Sequence, residues 1–127
     1  MGGNDIVESP SVSDARLKDV QGHRSDNDLE KLMNIEYIDF VWKEDGKDDF
    51  GFIAQQIQGF APEIIRDVNG GWLGYDQASY THLIGHALQQ HVMQTGSEVT
   101  NLQHKVASLE EKIIELEDRI NDQTKSS

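Results

Sequence analysis

Ser13 and Lys18 stand five residues apart in the segment Ser13-Asp14-Ala15-Arg16-Leu17-Lys18, and together they could do covalent chemistry. A neutral lysine amine can take the proton of a serine hydroxyl while Oγ attacks a carbonyl carbon. The requirement is severe, because a free lysine titrates near 10.4 and must be desolvated or set beside other positive charge to be neutral at pH 7. Arg16 would help in this, whereas Asp14 and Asp19 would oppose it. The same residues have a plainer reading. Ser11-Val12-Ser13-Asp14 fits the S-x-x-D pattern of a capping box that opens a short helix, with Lys18 on its solvated face. Residue types alone leave both readings open.

Other reactive side chains point nowhere in particular. His82 and His86 are four apart and would share a helix face, which is a spacing that zinc sites use, but the intervening residues are Leu83-Ile84-Gly85, with no glutamate. His23, His82, His86, His91 and His104 therefore read as surface or interface histidines, and no metal is expected. The acidic pairs Asp48-Asp49 and Glu110-Glu111 read as turn and solvated-face positions. Neither a G-x-x-x-x-G-K-[ST] loop nor a G-x-G-x-x-G turn occurs, so no nucleotide or other cofactor is implied. The chain has no cysteine, which removes thiol chemistry and disulfides and leaves packing or association to supply stability.

Charge excludes two classes of partner. Eleven Lys+Arg against 23 Asp+Glu give a formal charge of −12, and the cations are scattered. Nucleic acid and anionic membrane surfaces are both held by clustered Lys and Arg, so neither is an expected partner. The N-terminus has no signal-like basic and apolar regions, and no run approaches the ~18 apolar residues of a membrane span. At 127 residues, 36% of them hydrophobic, the chain has room for one small domain at most.

The elements that would position these residues are legible from periodicity. Met1 to Pro10 reads as a leader, Asp14 to Val20 as a short helix, Gly22 to Asn27 as a loop, and Leu29 and Leu32 as part of a second short turn. Ile35, Tyr37, Ile38, Phe40, Val41 and Trp42 favour a strand, which the turn Glu44-Asp45-Gly46-Lys47 joins to Phe50–Ile53 in a hairpin. A short helix from Ala54 to Phe60 ends before Pro62. Ile64–Val68 and Trp72–Tyr75, joined by Asn69-Gly70-Gly71, make a second hairpin. Asp76 then caps a long helix whose apolar stripe is Tyr80, Leu83, Ile84, Ala87, Leu88 and Val92. The fold class is α+β: a small globular part of hairpins and short helices, followed by a long C-terminal helix.

The end of that helix carries the clearest physical signal. Val99, Leu102, Val106, Leu109, Ile113, Leu116 and Ile120 are spaced 3, 4, 3, 4, 3, 4, which is a heptad seam. With Val99 at a, the g positions hold Lys105, Lys112 and Arg119, and the e positions hold Gln103, Glu110 and Glu117. Parallel chains would pair Lys105 with Glu110 and Lys112 with Glu117, whereas antiparallel chains would set like charges together. A parallel coiled coil is expected, rather than an amphipathic helix folded back on its own domain, which would show a wider apolar face. Val and Ile at a with Leu at d lean towards two strands.

The segment Ser13 to Lys18, then Gly51-Phe52-Ile53-Ala54-Gln55-Gln56 with Pro62-Glu63, then Tyr75 opening a long helix that ends in heptads, resembles the C-terminal intramolecular chaperone auto-processing domain. That family ends bacteriophage tail fibres, tailspikes and neck appendages, and it occurs in a eukaryotic membrane-tethered transcription factor. The likeness runs from about Ser11 to Ile120. There are two departures: Gln56 stands where the family commonly has Glu, and Asp19-Val20 replaces an Asn-Ile type pair.

The resemblance implies a homotrimeric chaperone that gathers three copies of a fibrous protein and then removes itself with a Ser-Lys dyad. Ser13 would be the nucleophile, Lys18 its general base and Val12–Ser13 the scissile bond, with Asp14, Arg16, Gln55 and Gln56 in support. Residues 1–12 would be the remnant of the upstream fibre, 13–75 the globular chaperone and auto-processing region, 76–123 the long helix and coiled coil, and 124–127 a disordered tail. The kinship also implies three strands where the seam leans to two. Partners would be the chain itself and the fibre domain upstream of it, with action in the host cytoplasm during phage assembly and release from the mature virion fibre. The alternative is a trimerisation or receptor-binding tip without catalysis. A hydrolase acting on external substrates lacks recognisable oxyanion donors in the sequence.

Overall fold

A computed structural model describes residues 11–126, so the Met1 to Pro10 leader lies outside the described residues. In chain order the elements are a 3-10 turn at Ala15–Leu17, helix α1 at Asp28–Met33, strands β1 at Ile38–Val41 and β2 at Asp48–Gly51, helix α2 at Ala54–Gln58, a 3-10 turn at Pro62–Ile64, strands β3 at Ile65–Val68 and β4 at Trp72–Tyr75, and helix α3 at Gln77–Ser126. The α+β class and both hairpins are as the sequence predicts.

Turn chemistry sets each hairpin. β1 and β2 pair antiparallel from Ile38 opposite Gly51 to Val41 opposite Asp48, and the chain reverses where Gly46 takes φ of 72°. β3 and β4 pair from Ile65 opposite Tyr75 to Val68 opposite Trp72, closed by Gly70 and Gly71 at φ of 90° and 83°. A side chain would be strained at both glycines, which is why Asn69-Gly70-Gly71 reads so clearly as a reversal. The hairpins form two separate two-stranded sheets. Such ribbons are marginal alone and depend on the helices they pack against.

The core lies where α2 and the Pro62–Ile64 turn meet the first turns of α3. Ile57, Ala61, Ile64, Ile65, Leu83 and Ile35 are buried there, with Phe52, Phe60, Leu73 and Tyr80 packed around them. Phe52 sits edge-on to Tyr37, Tyr75 and Tyr80 at centroid distances of 6.3, 5.0 and 5.4 Å. The Tyr80 phenol, half-buried and bonded to the Tyr37 hydroxyl, is pushed well above its ordinary acidity range by desolvation first and by that bond second. Asp76 caps α3 as expected: its carboxylate accepts from Ser79 Oγ at 2.6 Å, and its own N–H donates to Ile64 at 2.8 Å, tying the helix start to the core.

Several local expectations are corrected. Asp14 to Val20 is one 3-10 turn, because Asp14 itself caps at Arg16 N–H and the chain turns extended at Lys18, so the Ser11 box does not open a helix. The second short helix stops at Gln58, and Ile35 is a core residue ahead of β1. Thr124 to Ser126 continue α3 where a disordered tail is expected. No Gly or Pro interrupts this stretch, and Thr124 Oγ1 donates back to the Ile120 carbonyl at 2.9 Å. The stripe expected on α3 also splits. Leu83 and Ala87 are buried and Tyr80 and Ile84 half-buried, whereas Leu88 and Val92 are 59% and 60% exposed. They precede Val99 at heptad positions d and a, so they belong to the exposed seam. Its residues from Val99 to Ile120 are 48–61% exposed in the single chain. Among the described residues, no helix is long and apolar enough to cross a membrane.

Candidate active site

Asp14 builds the turn that brings Ser13 and Lys18 together. Its Oδ1 accepts from the Arg16 backbone N–H at 2.8 Å, and the Lys18 N–H closes the turn on the Ala15 carbonyl at 3.1 Å. The reversal places Lys18 Nζ 2.7 Å from Ser13 Oγ, within hydrogen-bond distance. The spacing of five that the sequence singles out is therefore a contact, made across one turn.

Asp14 and Arg16 pair with each other. The Arg16 guanidinium grips both carboxylate oxygens, at 3.1 and 2.8 Å, and holds the Asp14 carboxyl below its usual range while Arg16 itself is raised. The two charges that the sequence sets against each other near Lys18 are thus paired with each other. Every residue from Ser11 to Asn27 is exposed in the single chain. Among the described residues, nothing within one chain dries the lysine.

Gln55 and Gln56 lie on α2 and are both exposed, and among the described residues no hydrogen bond joins either of them to Ser13 within the chain. Gln55 instead lines a groove of about 620 Å³ between the hairpins with Trp42, Phe50, Ile53, Leu73 and Tyr75. Val12 is 75% exposed beside the serine.

A second polar constellation is invisible to sequence reasoning. Asp28, fully buried, accepts from Arg24 Nη2 at 2.7 Å and from Arg24 Nε, and His86 Nδ1 on α3 donates to it at 2.7 Å. Lys31 Nζ joins Asp26 at 2.7 Å and Glu63 at 2.9 Å, and Arg24 also reaches Glu63 at 3.4 Å. Gln90 completes the clamp, accepting from Leu29 N–H at 2.8 Å and donating to the Asp26 carbonyl at 3.0 Å. Arg24 holds the Asp28 carboxyl below its usual range, against burial, and His86 adds to this. Burial alone would raise Glu63; the Lys31 bond and neighbouring cations outweigh it and leave it lowered. Asp26, Asp28 and Glu63 approach one another as metal ligands would, yet Arg24 and Lys31 already occupy their oxygens. His86 is thus a structural residue facing a carboxylate. Among the described residues, His82, four residues back, makes no such contact.

The decisive comparison covers the stretch that begins at the serine. Residues 13–66 match the family described as the chaperone of endosialidase, whose name also carries the word peptidase. The matched stretch spans the Ser13–Lys18 turn, both short helices, the first hairpin and the Pro62-Glu63 turn, so it includes the Ser13–Lys18 and Gly51–Gln56 motifs but neither Tyr75 nor the heptads. It stops within β3, so the second hairpin's last strand and α3 lie outside it. No curated protein matches the chain.

Proposed function

We propose that this chain is an intramolecular chaperone that trimerises through α3, assists folding of an attached phage tail fibre, tailspike or neck appendage, and then releases itself by cutting Val12–Ser13. The carrying observation is the 2.7 Å approach of Lys18 Nζ to Ser13 Oγ inside a stretch that matches the endosialidase chaperone family.

Ser13 Oγ attacks the Val12 carbonyl carbon and Lys18, as the neutral amine, takes the hydroxyl proton. The Val12–Ser13 C–N bond breaks, Lys18 returns the proton to the departing Ser13 amine, and the acyl group is left as an ester on Oγ. One water hydrolyses that ester, giving a Val12 carboxylate and a free Ser13 hydroxyl. A fully solvated lysine is a poor base at neutral pH, so the exposed arm acquires its reactivity when neighbouring copies pack over it. Assembly precedes cleavage for that reason. Parallel register of three seams raises the local concentration of attached fibre chains, whose non-local contacts are slow to form. Loss of the chaperone afterwards makes assembly hard to reverse. The work takes place in the host cytoplasm during phage assembly, and the mature fibre is left without the domain.

The complete exposure of Ser13 and Lys18 in one chain favours a second reading, a passive trimerisation or receptor-binding tip. Intact mass of the freshly purified chain, with sedimentation, separates the two. An assembled chain that loses Met1–Val12 supports self-release, and an assembled chain that stays whole leaves the passive tip.

A further inference from the structure

The run of exposed residues that carries the Ser13–Lys18 pair is fastened to the folded body from Arg24 onward. Its first side chain to reach a fully buried partner is Arg24, whose guanidinium grips both oxygens of Asp28. Asp28 is in turn bonded to His86 on α3, and Lys31 links Asp26 to Glu63 alongside. A two-pronged arginine–carboxylate pair with its acid fully buried is geometrically specific in a way that single surface pairs are not.

The other end of the run returns to the same place. Ser11 lines a cavity with Ala78, Thr81 and His82 in the first turns of α3, and Arg24 lines another with His82 and Leu83. Residues 12–23 thus run between two residues that each border a cavity at His82, an arrangement of the Ω-loop kind. The Ser13–Lys18 turn lies in this loop, and Gly22, at φ of 129°, lies between that turn and the anchored root.

We propose that Asp28, acting through Arg24, is a positioning residue for self-cleavage: the buried pair fixes the root of the loop and so holds the Ser13–Lys18 turn in one place relative to α3 and its seam. This rests on the self-release reading above. Misplacing reacting groups by about 1 Å costs up to ~100-fold in rate, so a loop loosened at its root loses cleavage before it loses fold.

Four chains are compared by intact mass over time, with sedimentation and thermal unfolding on each: wild type, Arg24→Ala, Arg24→Lys, and a chain with two glycines inserted between Gly22 and His23. The insertion leaves every contact of Asp28 in place, so a merely structural role for the pair predicts wild-type cleavage there. The expected result is wild-type assembly and melting for the insertion with cleavage slowed at least ~10-fold, similar slowing in Arg24→Ala, and partial recovery in Arg24→Lys. An insertion chain that cleaves at the wild-type rate overturns the proposal. A wild-type chain that assembles and never cleaves overturns the self-release reading, and this inference with it.

Discussion

Lys18 Nζ lies 2.7 Å from Ser13 Oγ across a turn whose geometry is set by neither of them, since Asp14 caps it and Arg16 braces Asp14. The contact is thus preformed in the single chain, while among the described residues nothing supplies the dry surroundings that a lysine base needs.

Replacing either member should stop the reaction and spare the assembly. Ser13→Ala and Lys18→Ala are expected to keep Met1–Val12 by mass spectrometry and to sediment as the wild-type oligomer. Lys18→Arg should fail equally, because guanidinium does not give up its proton near neutral pH. Loss of the first twelve residues from Ser13→Ala would assign the cut to an outside protease.

Asp14→Ala should slow cleavage without abolishing it. The substitution removes the acceptor for Arg16 N–H and frees the Arg16 guanidinium, so the turn opens and the Ser13–Lys18 contact is populated less of the time. A several-fold fall in the rate of mass loss, with unchanged sedimentation, is the expected outcome. A rate equal to wild type would show that the turn forms without its cap.

The seam should not tolerate charge. Leu109→Asp or Ile113→Asp places a carboxylate in the a/d seam, and burying it there without a partner on assembly is strongly unfavourable. Sedimentation should report monomers, with cleavage lost alongside. A stable monomer in the unmodified chain would instead end the parallel-bundle reading.

Acid should loosen the body through Asp28 and Glu63. Both carboxyls are lowered in the folded chain, so their contribution is fully present above the unfolded values of about 3.9 and 4.3, and it is lost as pH falls through the folded values. Melting temperature should therefore be flat near neutrality and drop below about pH 4. Asp28→Asn should flatten that acid limb and cost ~1–3 kcal/mol at pH 7, the scale of unmaking a buried hydrogen-bonded group. An acid limb identical to wild type would place the titration elsewhere.

Removing a core methyl cluster should test the small body directly. Ile64→Ala empties a fully buried site against Ile57 and Leu83, with an expected cost of ~2–5 kcal/mol. The heptads from Val99 to Ile120 lie further along α3 than this site, so helical oligomers should survive the loss of the near-ultraviolet signal from the Phe52, Tyr75 and Tyr80 rings. Unchanged cooperative melting would show that the core lies elsewhere.

What could be read in advance was whatever depends on near neighbours. Asn69-Gly70-Gly71 demands a reversal because only glycine sits easily at positive φ, Asp76 caps because its carboxylate reaches N–H groups two and three residues on, and the heptads repeat within a single helix. The Ser13–Lys18 spacing was equally local, although whether it made a helix or a tighter turn was not. Asp14, to which the capping box gave a supporting part, turned out to be the cap, and the difference between 3-10 and helical geometry there lies in one side-chain bond.

Relations across long sequence separations needed the folded chain. Nothing local in the sequence distinguishes Asp28 from the other aspartates, and only its enclosure by Arg24 and by His86, 58 residues away, makes it the buried centre of a network. Leu88 and Val92 shared a plausible stripe with Leu83 and Ala87, and packing alone assigned one pair to the core and the other to the seam. Periodicity tells which residues share a face of a helix, but what covers that face is decided by the rest of the chain, whose side chains compete for the same limited apolar surface.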